Sequence, residues 1–180
     1  MIGSLAVLLG VAVAAAGVQN PLVDPGFEAE GTAGALSAWS DCGERPATLQ
    51  SATVHGGRFA VTLEGGAAIC QRVVMPMARS ILLDFWEKPT ATGTDANAAP
   101  AYREVSFYDK LPDGKMDMIQ TIVRDPIVTS AFAHYTFDVT ALMGQTLYVY
   151  FGVRDGSGSH ASLVLDDVTI QAERPMENRS

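Results

Sequence analysis

The chain has 180 residues, 48% hydrophobic and 18% charged, which suits one domain able to bury a core without staples. Twelve Lys and Arg stand against 20 Asp and Glu, for a formal charge of −8. The basic residues form no run or stripe, which argues against a nucleic-acid partner held through its phosphates, and the acidic balance is permissive for a hard cation.

In chain order, Ile2–Ala16 is apolar or small apart from Ser4, with no charged side chain and with small residues from Ala14 to Gly17. That length suits a signal-peptide core better than a membrane span, which needs about 20 apolar residues. Residues 1–17 are therefore expected to be a signal peptide cleaved near Ala14-Ala15-Ala16, with an uncleaved anchor as the alternative. No Lys or Arg precedes the apolar stretch. The protein is expected to be secreted or periplasmic, with no membrane span after cleavage. In that compartment the two cysteines, Cys42 and Cys70, are expected to form a disulfide; two buried free thiols are the alternative.

Short apolar runs of period two then follow, separated by Gly, Pro, Asp and Asn. They predict strands over Ala47–Ala52, Arg58–Leu63, Ala67–Val74, Ile81–Glu87, Tyr102–Tyr108, Met116–Val123, Phe132–Val139, Thr146–Val153 and Ser162–Gln171. Tyr135, Phe137 and Val139 share one face of their strand, and Leu147, Val149, Phe151 and Val153 share one face of theirs. Turn chemistry lies between the runs, as in Gly65-Gly66, Pro112-Asp113-Gly114 and Asp155-Gly156-Ser157-Gly158. Pro89–Ala101 has no period and is read as a long surface loop. No stretch keeps a helical period for three turns, although Thr140–Gly144 suits one short turn. Many short strands at this spacing predict an all-β sandwich or barrel over residues 20–172, followed by a polar tail over 173–180 with a sequon at Asn178.

Catalytic chemistry has little to stand on. Asp166 and Asp167 are adjacent in a strand, so alternation sends them to opposite faces, unsuited to an acid–base pair. His55, His134 and His160 have no metal-ligand spacing, and no serine sits in a nucleophile elbow. Trp39 and Trp86 read as core tryptophans, although the alternation of Leu82, Asp84 and Trp86 leaves that face ambiguous.

Asn20-Pro-Leu-Val-Asp-Pro-Gly-Phe-Glu28 opens the expected domain and Leu165-Asp-Asp-Val-Thr-Ile170 closes it. Between them stand Gly57-Arg-Phe-Ala-Val61, Cys70-Gln-Arg-Val73, Leu83-Asp-Phe-Trp86 and Tyr135-Thr-Phe-Asp-Val-Thr140. This order, over about residues 20 to 171, resembles the galactose-binding-like β-sandwich superfamily, in particular its carbohydrate-binding modules and the related MAM-type extracellular domains. Leu22-Val23-Asp24 interrupts the opening motif and leaves its second half intact. The resemblance implies a jelly roll of two antiparallel sheets and a non-catalytic module that binds a polysaccharide or glycoconjugate. A structural or adhesive cell-envelope subunit, making protein contacts through the same sandwich, is the alternative.

The resemblance also implies a structural calcium tying the first strand to the last. Carried onto this chain, its ligands are Glu28 and Asp166, with backbone carbonyls near Gly26, His55 and Arg58, and with Asp167 as the substitute if the strand faces the other way. The alternative is that Glu28 and Asp166 cap turns or pair with Arg58. Tyr148 and Tyr150 alternate with the apolar positions of their strand and so point outward, where aromatic rings stack on sugar faces. Trp86, Glu104 and Tyr108 are the residues expected to join them.

Overall fold

The computed structural model describes residues 20–29, 36, 38–92, 99–110 and 115–173. The expected signal peptide and residues 174–180 of the expected tail lie outside them. Ten strands are described: β1 (Ser40–Asp41), β2 (Thr48–Gln50), β3 (Ala60–Glu64), β4 (Ala68–Val74), β5 (Ser80–Thr92), β6 (Tyr102–Lys110), β7 (Met116–Pro126), β8 (Ala133–Asp138), β9 (Thr146–Arg154) and β10 (His160–Glu173). They form two five-stranded antiparallel sheets, in the orders β1-β4-β9-β6-β7 and β2-β3-β10-β5-β8. The short turn expected after β8 is a single 3-10 turn at Thr140–Leu142.

Period-two alternation explains why the sheets stack. In β9, Leu147, Val149, Phe151 and Val153 all point inward and are buried. So do Ile81, Leu83 and Phe85 of β5, and Leu163, Leu165 and Ile170 of β10. Aromatic rings bridge the layers: Phe27 lies 5.6 Å from Trp39, Trp39 meets Phe151 edge-on at 6.2 Å, and Phe151 meets Phe85 at 5.2 Å. Trp39 is thus a core tryptophan, its indole N–H donating to the Asp24 carbonyl at 3.2 Å. Gln71, also inward-phased, clasps the incoming chain by donating to the carbonyls of Val23 and Ala38 and accepting from Val23 N.

Three expectations are corrected. The loop expected over Pro89–Ala101 begins later, because β5 continues through Thr92, paired residue by residue with β10 from Glu87↔Leu165 to Thr92↔His160. Pro89 is tolerated because β8 stops pairing at Glu87↔Ala133, and the Pro89 carbonyl faces Ser130. Its missing N–H therefore falls outside the β10 ladder. Glu173, placed in the tail, is the last residue of β10, paired with Ser80. The strict alternation assumed at Asp166-Asp167 fails, because the register shifts between Asp166 and Thr169 and Asp167 has φ 48°. A bulge of this kind re-aims side chains, and both carboxylates reach the loop that precedes β3.

Candidate functional site

Strand pairing sets side chains in rows across the outward face of the β1-β4-β9-β6-β7 sheet. One row is Arg72, Tyr148, Tyr108 and Met118; the next is Cys70, Tyr150, Ser106 and Thr121; the third is Ala68, Gly152, Glu104 and Arg124. Arg154 stands beside Tyr102 in a fourth. The register thus gathers four of the five expected ligand residues, Glu104, Tyr108, Tyr148 and Tyr150, on one surface.

Tyr150 points outward as expected, yet it is buried, packed with Ala68 and Cys70 and flanked by Cys42, Tyr108 and Tyr148. The Cys42–Cys70 disulfide forms as expected, with Cα atoms 5.9 Å apart, and underlies this cluster. The ring of Tyr150 crosses Gly152, where an added Cβ would stand 2.6 Å from its hydroxyl, so only glycine leaves room there. Tyr108 meets Tyr150 edge-on at 5.2 Å and donates its hydroxyl to Glu104 Oε1, which also accepts from Ser106 Oγ at 3.1 Å. Burial, and then the bond to Glu104, push the Tyr108 hydroxyl well above its ordinary pKa; burial also raises that of Tyr150. Both phenols stay neutral, with intact O–H groups. Cys42, Tyr108, Met116, Tyr150 and Arg154 line a cleft of about 180 Å³.

Trp86 does not join this surface. It lies on β5 in the other sheet, where it stacks against His55 at 3.7 Å and His134 at 4.9 Å. A cleft of about 290 Å³ on that sheet, beside Glu64, Thr90, Asp155 and His160, is larger but has no aromatic ring except the exposed imidazole. Asp155 there is already engaged by Ala161 N and His160. The smaller cleft is the better candidate because rings and hydrogen-bonding groups converge in it.

The residues expected around a cation meet at the loop before β3. Asp166, fully buried, accepts at Oδ2 from His55 N (2.8 Å) and Gly56 N (3.1 Å), and at Oδ1 from Asp167 N (2.8 Å). Burial raises its pKa despite these amides, and neighbouring Asp167 pushes the same way. Asp167 Oδ2 lies 2.7 Å from His55 Nδ1. Glu28 Oε1 accepts from Arg58 N at 2.6 Å and Phe59 N at 2.9 Å, with Arg58 Nε 3.6 Å from its second oxygen. The Phe59 amide is the main influence holding the Glu28 pKa low. Glycines make the approach possible: a Cβ on Gly57 would fall onto the Glu28 carboxylate, and one on Gly56 would lie 2.9 Å from Asp167. A Cβ on Gly26 would lie 3.5 Å from Asp167 Oδ1 and 3.7 Å from Glu28 Cγ, so these two side chains converge. Among the described residues, no group of three or more His, Cys, Asp or Glu side chains is arranged to hold a metal ion.

Arg72, Arg124, Arg154, Ser106 and Gly152 were not among the sequence-derived candidates. Arg154 had a signal, since it continues the outward phase of Tyr148, Tyr150 and Gly152. Gly152 lies in that same phase and Ser106 in the phase of Glu104 and Tyr108, whereas Arg72 and Arg124 depend on cross-strand register.

The sequence matches no family model, and no curated protein matches it. Solved structures do resemble it in fold. The CBM22-1 xylan-binding domain from Paenibacillus barcinonensis superposes with a TM-score of 0.60 at 16% identity, over 90% of this chain and 99% of that one. TmCBM61, in complex with β-1,4-galactotriose, gives 0.59 at 19% identity, over 86% and 99%. The K3 adhesin domain of Lys-gingipain from Porphyromonas gingivalis gives 0.54 at 14%, over 86% and 98%. At these identities the likeness concerns the fold, and the chain has the galactose-binding-like β-sandwich fold seen in carbohydrate-binding modules.

Proposed function

We propose that this chain is a non-catalytic carbohydrate-binding module of an exported protein, taking its ligand on the outward face of the β1-β4-β9-β6-β7 sheet. The observation that carries the reading is the cleft in which Tyr108 and Tyr150 meet, beside Tyr148 and the engaged carboxylate of Glu104. Rings of this kind stack on the C–H faces of sugars; the neutral phenol of Tyr150 can donate to a sugar oxygen, whereas that of Tyr108, already donating to Glu104, can only accept from a sugar hydroxyl. Fold-mates described as xylan-binding or complexed with a galactotriose favour a glycan over other small molecules. A glycan array tests the reading. Wild type should be retained on at least one glycan class and Tyr148→Ala should lose it; retention of wild type on none sinks the proposal.

A structural calcium belongs to the same proposal. Glu28, Asp166 and Asp167 bring three carboxylates to one short loop, whose side chains His55 and Arg58 sit at its surface. Side chains alone make no complete shell, so backbone carbonyls near Gly26, His55 and Arg58 must supply the rest. An ion that binds only the folded chain stabilises it by about 2.7 kcal/mol at a hundredfold excess over its dissociation constant. Chelation should lower the melting temperature, and Asp167→Ala should abolish that response. No effect of chelator on wild type removes the ion.

One observation favours the adhesive alternative. β7 is an edge strand with Met116, Met118 and Ile119 exposed. Two register shifts against β6 interrupt that edge, however, which blunts it for strand addition. Concentration-dependent self-association abolished by Met118→Lys would support protein contacts there.

A further inference from the structure

We infer that the glycan taken by this face is acidic, its carboxylate or sulfate paired by Arg154, with Arg72 and Arg124 adding positive charge on either side. This rests on the reading of the face as a sugar site and names the class of sugar.

The argument begins with charge. Over the whole chain acids outnumber bases, 20 to 12. On this face the balance reverses. The outward positions of β4, β6, β7 and β9 carry Arg72, Lys110, Arg124 and Arg154, against one acid, Glu104. Glu104 is buried and already accepts hydrogen bonds from two hydroxyls, those of Tyr108 and Ser106. Its charge, and that of Glu44 near Tyr150, remain on this face, but four basic side chains still outnumber these two acids, and Glu104 forms no ion pair with an arginine among the described residues.

The arginines are also placed for use. Arg154 is exposed, lines the cleft beside Tyr108 and Tyr150, and forms no ion pair among the described residues. Arg124 lies 5.0 Å over the Tyr102 ring and donates to its hydroxyl at 3.1 Å, so a neutral partner orients it, and although it stands opposite Glu104 it forms no ion pair with it among the described residues. Arg72 is exposed beside Tyr148. A planar guanidinium offers two parallel N–H bonds to a carboxylate or sulfate, a match that a neutral sugar cannot complete. The chain's net negative charge does not override this at close range. The Debye length at physiological salt is about 8 Å, and stacked sheets lie about 10 Å apart, so acids on the far sheet are largely screened.

Affinity electrophoresis of the whole chain at physiological ionic strength tests the inference, with five probes: polygalacturonate, the same polymer after reduction of its carboxylates to alcohols, chondroitin sulfate, xylan and β-1,4-galactan. Retardation by an acidic polymer, lost in high salt and weakened at least about tenfold by Arg154→Ala, is expected. Preference for the uronate or the sulfated chain then identifies the anion. Equal or tighter binding to the neutral or carboxyl-reduced polymers overturns the acidic assignment and leaves the sugar-binding reading standing. Acidic binding unchanged in both Arg154→Ala and Arg72→Ala also overturns it, since the ligand then sits elsewhere. Binding to none of the five overturns both. Thermal unfolding of each variant, expected to match wild type because both side chains are exposed, confirms that the lost contact is with ligand.

Discussion

Replacing Asp166 by alanine should test how the first segment of the domain is fastened to the last strand. The carboxylate accepts three backbone N–H groups, from His55, Gly56 and Asp167, at 2.8–3.1 Å, and no part of the residue is exposed. Deleting it strands three donors. Each donor left buried and unpaired costs about 1–3 kcal/mol, but the loop's exposure lets water reach some of them. The expected net loss is about 2–4 kcal/mol, or roughly 4–16 °C in melting temperature for a domain of this size. Asp166→Asn, which keeps one carbonyl acceptor, should lose about half as much. The loop also presents Arg58 N and Phe59 N to Glu28, so amide exchange at those positions should speed up together with that at His55 and Gly56. Urea unfolding and hydrogen exchange provide the assay. A loss below about 0.5 kcal/mol with unchanged protection at His55 and Gly56 would refute the claim that Asp166 holds this junction.

Tyr150→Ala should cost about 2–4 kcal/mol, because the ring fills space between Gly152 and the disulfide, whereas Tyr150→Phe should stay within about 1 kcal/mol of wild type; urea midpoints separate the two. Reducing the Cys42–Cys70 bridge, which spans 28 residues, should lower stability by about 3–4 kcal/mol through restored chain entropy, checked by unfolding with and without reductant. Asp138 should titrate below 3.8, held there first by the Thr140 hydroxyl and then by the Thr140 amide, which donates to Oδ1 at 2.9 Å. A carboxyl depressed by folding contributes stability that is present above 3.8 and lost as pH falls through its folded pKa. Asp138→Asn should therefore weaken the acid dependence of unfolding, and NMR of the side-chain carboxyl checks the direction.

What the sequence made legible follows from where periodicity is strong. β9 is a central strand, with β4 and β6 on either side, and its inward phase is apolar at every position; the burial of Leu147, Val149, Phe151 and Val153 follows from that phase. β1 has only two residues, too few to show any period. The extension of β5 through Pro89-Thr-Ala-Thr92 was hidden because its residues are small or polar, and only the partner strand β10 specifies them as strand. The bulge at Asp167 was equally hidden, since a positive φ at a non-glycine residue leaves no mark in hydrophobic pattern.

The candidate site was legible to the extent that it lies along single strands. Tyr148 and Tyr150 share a phase and were placed outward by counting alone; Glu104 and Tyr108 also share a phase, but were only expected to join them. Which strands become neighbours is another matter, because the two sheets draw their strands from interleaved stretches of the chain. That is why Trp86 was grouped with the tyrosines, although its β5 lies in the opposite layer. The same limit hid Glu87 and Arg103. Each falls on the inward phase of its strand, where a charge reads as a strand end turned to solvent. Instead Glu87 is fully buried and pairs with Arg103 across the sandwich. The guanidinium is further held by Asp125 at 2.6 and 3.2 Å and lies 4.4 Å over the Tyr135 ring. Two buried charges gain little net stability from meeting, since desolvation offsets most of their attraction, whereas either one left alone is costly. The pair therefore penalises any arrangement of the two sheets that separates β5 from β6. It acts on register between layers, a property that no single strand's sequence carries.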